Sequence, residues 1–189
     1  MKRIALTGGI ACGKSLVARY LNEAGFSTID ADDIVHAIVP EEERRRLAKK
    51  VFADPEARRQ LEARLHPLVR AEIEAAYRRE AISPSKGLVA VIPLLFEVQW
   101  EKYFDIICCV ASGRETQIHR MLTTRGYTRE EAESRLAESR LAAQLPVEEK
   151  AGKSHYVIRN DGTTDELRAE VVRFAAYLEE RMGPKADVR

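Results

Sequence analysis

The eight residues Gly8-Gly9-Ile10-Ala11-Cys12-Gly13-Lys14-Ser15 constrain the fold more than any other stretch of the chain. Glycines at both ends of a six-residue span, followed by a lysine and a hydroxyl, make a loop whose backbone N–H groups can curl round phosphate oxygens. Such a loop works at the junction of a strand and a helix, where the helix N-terminus adds partial positive charge. The flanks supply both elements. Ile4-Ala5-Leu6-Thr7 is an apolar run, and Leu16, Val17, Tyr20 and Leu21 recur at helical spacing. Side chains in place of the glycines would block close approach of the backbone to a ligand. Gly8, Gly9, Ala11, Cys12, Gly13, Lys14, Ser15 and Leu16 are therefore the expected phosphate-binding set. Lys14 reaches the β and γ phosphates, and the Ser15 hydroxyl ligates Mg²⁺.

Further along, strand and helix signals alternate. Strands are expected over 3–7, 26–30, 88–96, 105–110 and 156–158, several of them unbroken apolar runs of the kind found when a parallel sheet is covered on both faces. Helices are expected from Lys14 to a stop at Gly25, then over 34–39, 114–124, 128–143 and 165–180. Thr163 or Thr164 serves as N-cap of the last one, which ends at Gly183-Pro184. Residues 40–86 read as a helical insertion without a strand, in which Pro55 and Pro67 each open a helix and His66-Pro67 joins two of them. The expected architecture is a three-layer α/β/α fold of the P-loop NTPase type, with a five-stranded parallel sheet. Residues 1–39 and 87–189 form the core, 40–86 an acceptor-binding insertion, and about 114–150 a helical lid, all in one folding unit of 189 residues.

The net charge of +1 argues for neither a nucleic acid nor a membrane surface as partner. No apolar run approaches a membrane span, and the first strand leads straight into the glycine-rich loop, unlike a signal peptide. Cys12, Cys108 and Cys109 are odd in number and two are adjacent, which is no disulfide framework and suits a reducing cytoplasmic setting. The chain is read as a monomer.

A phosphate loop alone says nucleotide. No Asn-Lys-x-Asp is present to read guanine, and the chain is short for a motor, so a kinase of small molecules remains. Such an enzyme needs a group to take or orient the acceptor's proton. Asp32, in Asp30-Ala31-Asp32-Asp33 at the carboxyl end of the second strand, is the candidate, with Asp30 or Asp33 available as a helix cap. Glu97 closes the third strand's run Ile92-Pro93-Leu94-Leu95-Phe96-Glu97, where it can touch substrate, or metal through water. His66, Leu94, Glu97 and Asp32 are the candidates for acceptor contact. Cations must cover the developing charge. Among Arg114, Arg120, Arg125, Arg129, Arg135 and Arg140, the choice falls on Arg140, with Arg135 as its rival. The rivalry arises because Glu-Ser-Arg-Leu-Ala occurs twice in tandem, at 133–137 and 138–142. Five helical residues turn the axis by about 500°, so the two arginines point roughly 140° apart and only one can serve a given site. Asn160-Asp161-Gly162 is a turn that can also bring Asn160 to the adenine. The four histidines show no metal-ligand spacing.

Taken in order, these landmarks resemble the dephospho-CoA kinase family nearly end to end. They are Leu6-Thr7-Gly8-Gly9-Ile10 with Gly13-Lys14-Ser15, Asp30-Ala31-Asp32, Val51-Phe52-Ala53-Asp54-Pro55, Leu65-His66-Pro67-Leu68, Ile92 to Glu97, Gln117-Ile118-His119-Arg120, Arg140 to Pro146, and Val157 to Gly162. The resemblance implies ATP- and Mg²⁺-dependent phosphorylation of the ribose 3′-hydroxyl of dephospho-CoA, with Asp32 acting on that hydroxyl, and Lys14 and a lid arginine stabilising the transferring phosphoryl group. Three departures stand out: Leu16 where the family usually has threonine, a short stretch between Asp-Ala-Asp and Arg44, and the tandem pentapeptide. Because the acceptor region is the shortened part, two other readings stay open: another small-molecule kinase of this fold, or a catalytically weak nucleotide-binding relative.

Overall fold

Five strands, β1 (Ile4–Gly8), β2 (Ser27–Asp30), β3 (Leu88–Val91), β4 (Ile106–Ala111) and β5 (Tyr156–Arg159), form one parallel sheet in the order β2-β3-β1-β4-β5. The structure is a computed structural model. It describes residues 2–44, 46, 54–141 and 144–183, and the side chains of 55, 58, 125 and 137–141 lie outside the description. Ile4 pairs with Val89 on one side and Ile106 on the other, which makes β1 the central strand.

Alternation along each strand sorts the core into two layers. Ile4, Leu6, Ile106, Cys108 and Val110 face helix α1 (Lys14–Glu23) and the last helix, α7 (Thr164–Met182), through Val17, Leu21, Phe174 and Leu178. Ala5, Ala90 and Ile107 face the opposite way, onto α2 (Ala31–Ile38) and α3 (Pro55–Glu80). The fold is thus the expected three-layer arrangement. A smaller apolar cluster joins α4 (Arg114–Arg125) to α5 (Arg129–Leu141) through Ile118, Met121 and Ala132, with Ile10 and Ala11 of the glycine-rich loop packed against it. A short helix, α6 (Val147–Gly152), precedes β5.

Several boundaries differ from the sequence expectations, each for a local reason. Strand β3 stops at Val91, and 93–99 form turns. Pro93 has no N–H to donate to a ladder, so the run through Phe96 cannot continue as strand. Helix α2 begins at Ala31 rather than near Ile34, because the Asp30 side chain accepts from Asp32 N at 2.8 Å and caps it. Pro67 lies inside α3 and does not begin a second helix, so His66-Pro67 is no joint. Pro67 is exposed, so water can satisfy the carbonyl that its missing N–H frees. The buried residues that follow it, Val69, Ile73, Ala76 and Tyr77, hold the helix on the sheet. The second half of the insertion is therefore part of the core. Helix α6 was not foreseen at all. Arg44, on helical residues 41–44, donates to the carbonyls of His36 and Val39 at 2.8 and 3.2 Å, and so closes the end of α2. Val51, Phe52 and Ala53 of the family landmark lie outside the described residues. Thr163 caps α7 in a reciprocal capping box with Glu166.

Candidate active site

The glycine-rich loop runs from the C-terminal end of β1 to the first turn of α1, as its sequence requires. Gly8 has φ +148°, and a Cβ there would lie 2.3 Å from the Val110 carbonyl oxygen, so no other residue fits. Gly13 has φ +95°, and its Cβ would meet Asn160 Nδ2 at 2.3 Å. Ala11 also takes a left-handed conformation, φ 55°. Lys14 folds back over the loop, its Nζ donating to the carbonyls of Gly9 at 2.8 Å and Gly8 at 3.0 Å. Burial holds this ammonium below the usual lysine range, and the nearby charge of Lys150 pushes the same way. A partly desolvated cation on a loop of inward-facing amides is suited to phosphate oxygens.

The loop is braced from outside by Gln117, Arg120 and Asn160. Gln117 Nε2 donates to Ile10 O at 2.7 Å and lies 3.3 Å from Cys12 Sγ. Cys12 is fully buried in this packing. Arg120 Nη2 donates to Asn160 O and Oδ1, while its Nη1 donates to Ser112 Oγ at 3.0 Å and approaches the carbonyls of Ala11 and Cys12. Asn160 Nδ2 in turn donates to Cys12 O at 2.9 Å. Asn160 is buried, and its side-chain amide is bonded to the loop.

Two adjoining cavities meet at the tip of the sheet. The first, of about 500 Å³, is lined by Gly8, Gly13, Lys14, Ser15, Leu16, Asp32 and Pro93, with Arg120 and Gln144 also on its wall. The second, of about 180 Å³ and mainly apolar, is lined by Asp32, Val35, His66, Pro93, Leu94 and Trp100 among others. Asp32 and Pro93 belong to both walls. The His66 ring meets Trp100 edge-on, with centroids 5.6 Å apart. Asp32, on the first turn of α2, keeps an exposed carboxylate, since Asp30 takes the capping task. Asp30 faces the first cavity as well; burial raises its carboxyl above the usual range, against the pull of the Asp32 backbone N–H.

Of the residues expected at the site, Lys14, Ser15, Leu16, Asp32, His66 and Leu94 come together. Glu97 does not. Its Oε1 lies 2.7 Å from Lys150 Nζ and accepts from Leu145 N at 2.9 Å, and Glu97 lines neither cavity. The run that seemed to carry it to the strand end turns away at Pro93. Lys150, beside Glu148 and Glu149, has no sequence signal of burial, yet its side chain is 1% exposed. The Arg140 side chain lies outside the described residues. Arg135 stacks on Tyr127, its guanidinium 5.7 Å from the ring centre. His155, before the last strand, accepts from Ile107 N through Nδ1 at 3.0 Å and extends the pairing of β4 and β5.

Comparison with known proteins agrees with this geometry. The family model for dephospho-CoA kinase matches residues 2–43 and 41–166, two pieces that meet where the chain is short after Asp-Ala-Asp. A dephospho-CoA kinase from Symbiobacterium thermophilum is 40% identical, covering 90% of this chain and 79% of that protein. One from Bdellovibrio bacteriovorus is 35% identical, covering 95% and 98%. Among solved structures, the dephospho-CoA kinase of Campylobacter jejuni superposes with a TM-score of 0.68 at 26% identity, covering 96% of this chain and 98% of that one. A shikimate kinase from Bacteroides thetaiotaomicron, at 14% identity and a TM-score of 0.59, shares the fold. With the phosphate loop, the Asp-Ala-Asp corner and the family match spanning most of its length, this chain belongs to the dephospho-CoA kinase family.

Proposed function

We propose that this protein transfers the γ-phosphoryl group of ATP to the ribose 3′-hydroxyl of dephospho-CoA, giving CoA and ADP. The observation that carries the reading is the shared wall. Asp32 and Pro93 border both the phosphate cavity with Lys14 and the apolar cavity with His66 and Leu94. A nucleoside seated by its apolar face in the second cavity can direct a hydroxyl at Asp32 and at a phosphate held over Lys14. Asp32 accepts the hydroxyl proton as the oxygen attacks phosphorus. Lys14 and the loop amides hold the phosphate oxygens as the bond to the β-phosphate breaks. An arginine of α5, Arg140 or Arg135, covers the same charge when α5, within the expected lid 114–150, closes over the site, and closure excludes water.

The loop fits Mg²⁺. Ser15 is exposed at the cavity wall, and among the described residues no group of three or more His, Cys, Asp or Glu could hold a metal without help, so phosphate oxygens and water must complete its shell. When bound, the ion neutralises charge on the phosphates. The core is residues 1–39 and 87–189 together with the second half of α3, and within 40–86 the first half of α3 bears the acceptor. No helix among the described residues is long and apolar enough to cross a membrane. We place the enzyme in the cytoplasm as a monomer with a small-molecule acceptor and no nucleic-acid partner. The test is ADP release from Mg-ATP with and without dephospho-CoA, with the product weighed by mass spectrometry. Acceptor-dependent ADP and a product one phosphate heavier are expected; ATP binding without that turnover overturns the reading.

A further inference from the structure

Lys150 is a fully buried lysine outside the phosphate loop, which makes it an unusual residue in this molecule. Its Nζ lies 2.7 Å from the Pro93 carbonyl oxygen and 2.7 Å from Glu97 Oε1. These two partners lie in the turn 93–99 that leaves β3. Pro93 has no N–H, and its carbonyl is held besides only by Thr7 Oγ1 at 3.2 Å among the bonds of the described residues. Glu97 Oε1 also accepts from Leu145 N. Leu145 follows Gln144, a residue of the phosphate-cavity wall, in the connection from α5 to α6. One ammonium group thus ties together the turn 93–99, the segment at Leu145 and helix α6.

The geometry points to Lys150 as a positioning residue for phosphoryl transfer: through Pro93 O and Glu97 it sets the wall between the phosphate and acceptor cavities and anchors the chain at Leu145, without touching substrate. This rests on the function proposed above. The physical case is one of leverage. Pro93 borders both cavities, so a displacement of that carbonyl moves the acceptor relative to Lys14 and Asp32. Reacting groups must be aligned closely, and an error near 1 Å can lower a rate by on the order of 100-fold. Stability alone does not account for the pair, since a buried ion pair replaced by apolar side chains of similar volume often leaves a protein equally stable. Lys150 is also close enough to Lys14 for its charge to weigh on that ammonium, after burial, so its placement is felt at the phosphate loop.

Lys150→Met alone would bury the Glu97 carboxylate without its counter-charge, so the informative variant is Lys150→Met/Glu97→Met, compared with Glu97→Gln. The double variant is expected to melt near the wild type and to bind ATP with similar affinity. Its kcat with dephospho-CoA should fall by on the order of 100-fold, with a raised KM for the acceptor. Glu97→Gln, which keeps an oxygen for Lys150 and Leu145 N, should hold kcat well above the double variant. Unchanged kcat and KM in the folded double variant overturn the inference, as does a joint collapse of melting temperature, ATP binding and turnover, which would mark a purely structural pair. A wild type that turns over no dephospho-CoA refutes the proposed function instead. The clasp is then judged by hydrogen exchange: the Leu145 amide must exchange faster in the double variant, and equal rates overturn it.

Discussion

Replacing Tyr77 by phenylalanine asks whether helix α3 is part of the sheet's core or an appendage. The Tyr77 hydroxyl accepts from Ile4 N at 3.0 Å and donates to Ile4 O at 2.8 Å, at the start of the central strand. Ile4 is fully buried and Tyr77 nearly so, so water cannot take over either bond. Burial pushes the phenol above its usual range, so the hydroxyl keeps the proton it donates. Phenylalanine fills the same space less one oxygen, which leaves packing almost intact. Ile4 keeps its pairing with the neighbouring strands, so the change removes two bonds worth about 1 kcal/mol each. A total of roughly 2 kcal/mol in a chain of this size lowers the melting midpoint by about 4–8 °C. The measurement is thermal unfolding, paired with ADP release at a temperature where both proteins are folded. Turnover per folded molecule should not change, because Ile4 lies at the opposite end of β1 from the phosphate loop. A midpoint shift under about 2 °C would refute the reasoning, since it would mean that the strand's start is hydrated or rearranges freely.

Lys14→Met should lower kcat by about 100- to 1000-fold, as loss of a donor to developing charge does; ADP release within tenfold of the wild type would remove Lys14 from the phosphates. Asp32→Asn should lower kcat by about 100-fold or more while ATP affinity measured by calorimetry stays near normal, and equal small effects on both would reduce Asp32 to a helix-start acid. Asp30→Asn keeps the α2 cap, since asparagine caps as well as aspartate, so it isolates the charge. The Asp30 carboxyl is raised by burial, hence the folded protein holds a proton that the unfolded chain has released above its ordinary value of 3.8. Its stabilising contribution is full below 3.8 and is lost as pH rises through the folded pKa. Urea unfolding across pH should therefore show the wild type gaining on Asp30→Asn as pH falls through that window; a flat difference would refute the burial argument.

The site was legible wherever local chemistry leaves few options. Gly8 and Gly13 need positive φ and face atoms at 2.3 Å, so the glycines are as much a geometric as a sequence signature. Asp30-Ala31-Asp32 could be placed at a strand end, though which carboxylate caps and which faces the cavity depended on where α2 begins. Leu94 and His66 are 28 residues apart in sequence with no local signal that makes them neighbours; the apolar cavity brings them together. Glu97 misled because a carboxylate after a buried run looks like a strand-end acid, and Pro93 turns the chain before it arrives.

By itself the sequence determined the strand–loop–helix unit, the parallel sheet and the layers on its faces, because φ preferences, apolar runs and caps act over a few residues. Only the tertiary structure decided which ionisable groups are buried. Glu148-Glu149-Lys150 is a uniform charge run on paper, yet Glu148 pairs with Arg159 at the surface while Lys150 is sealed against Pro93 and Glu97. Burial of a charge depends on what the rest of the chain brings to it across 57 residues, and no local pattern encodes that.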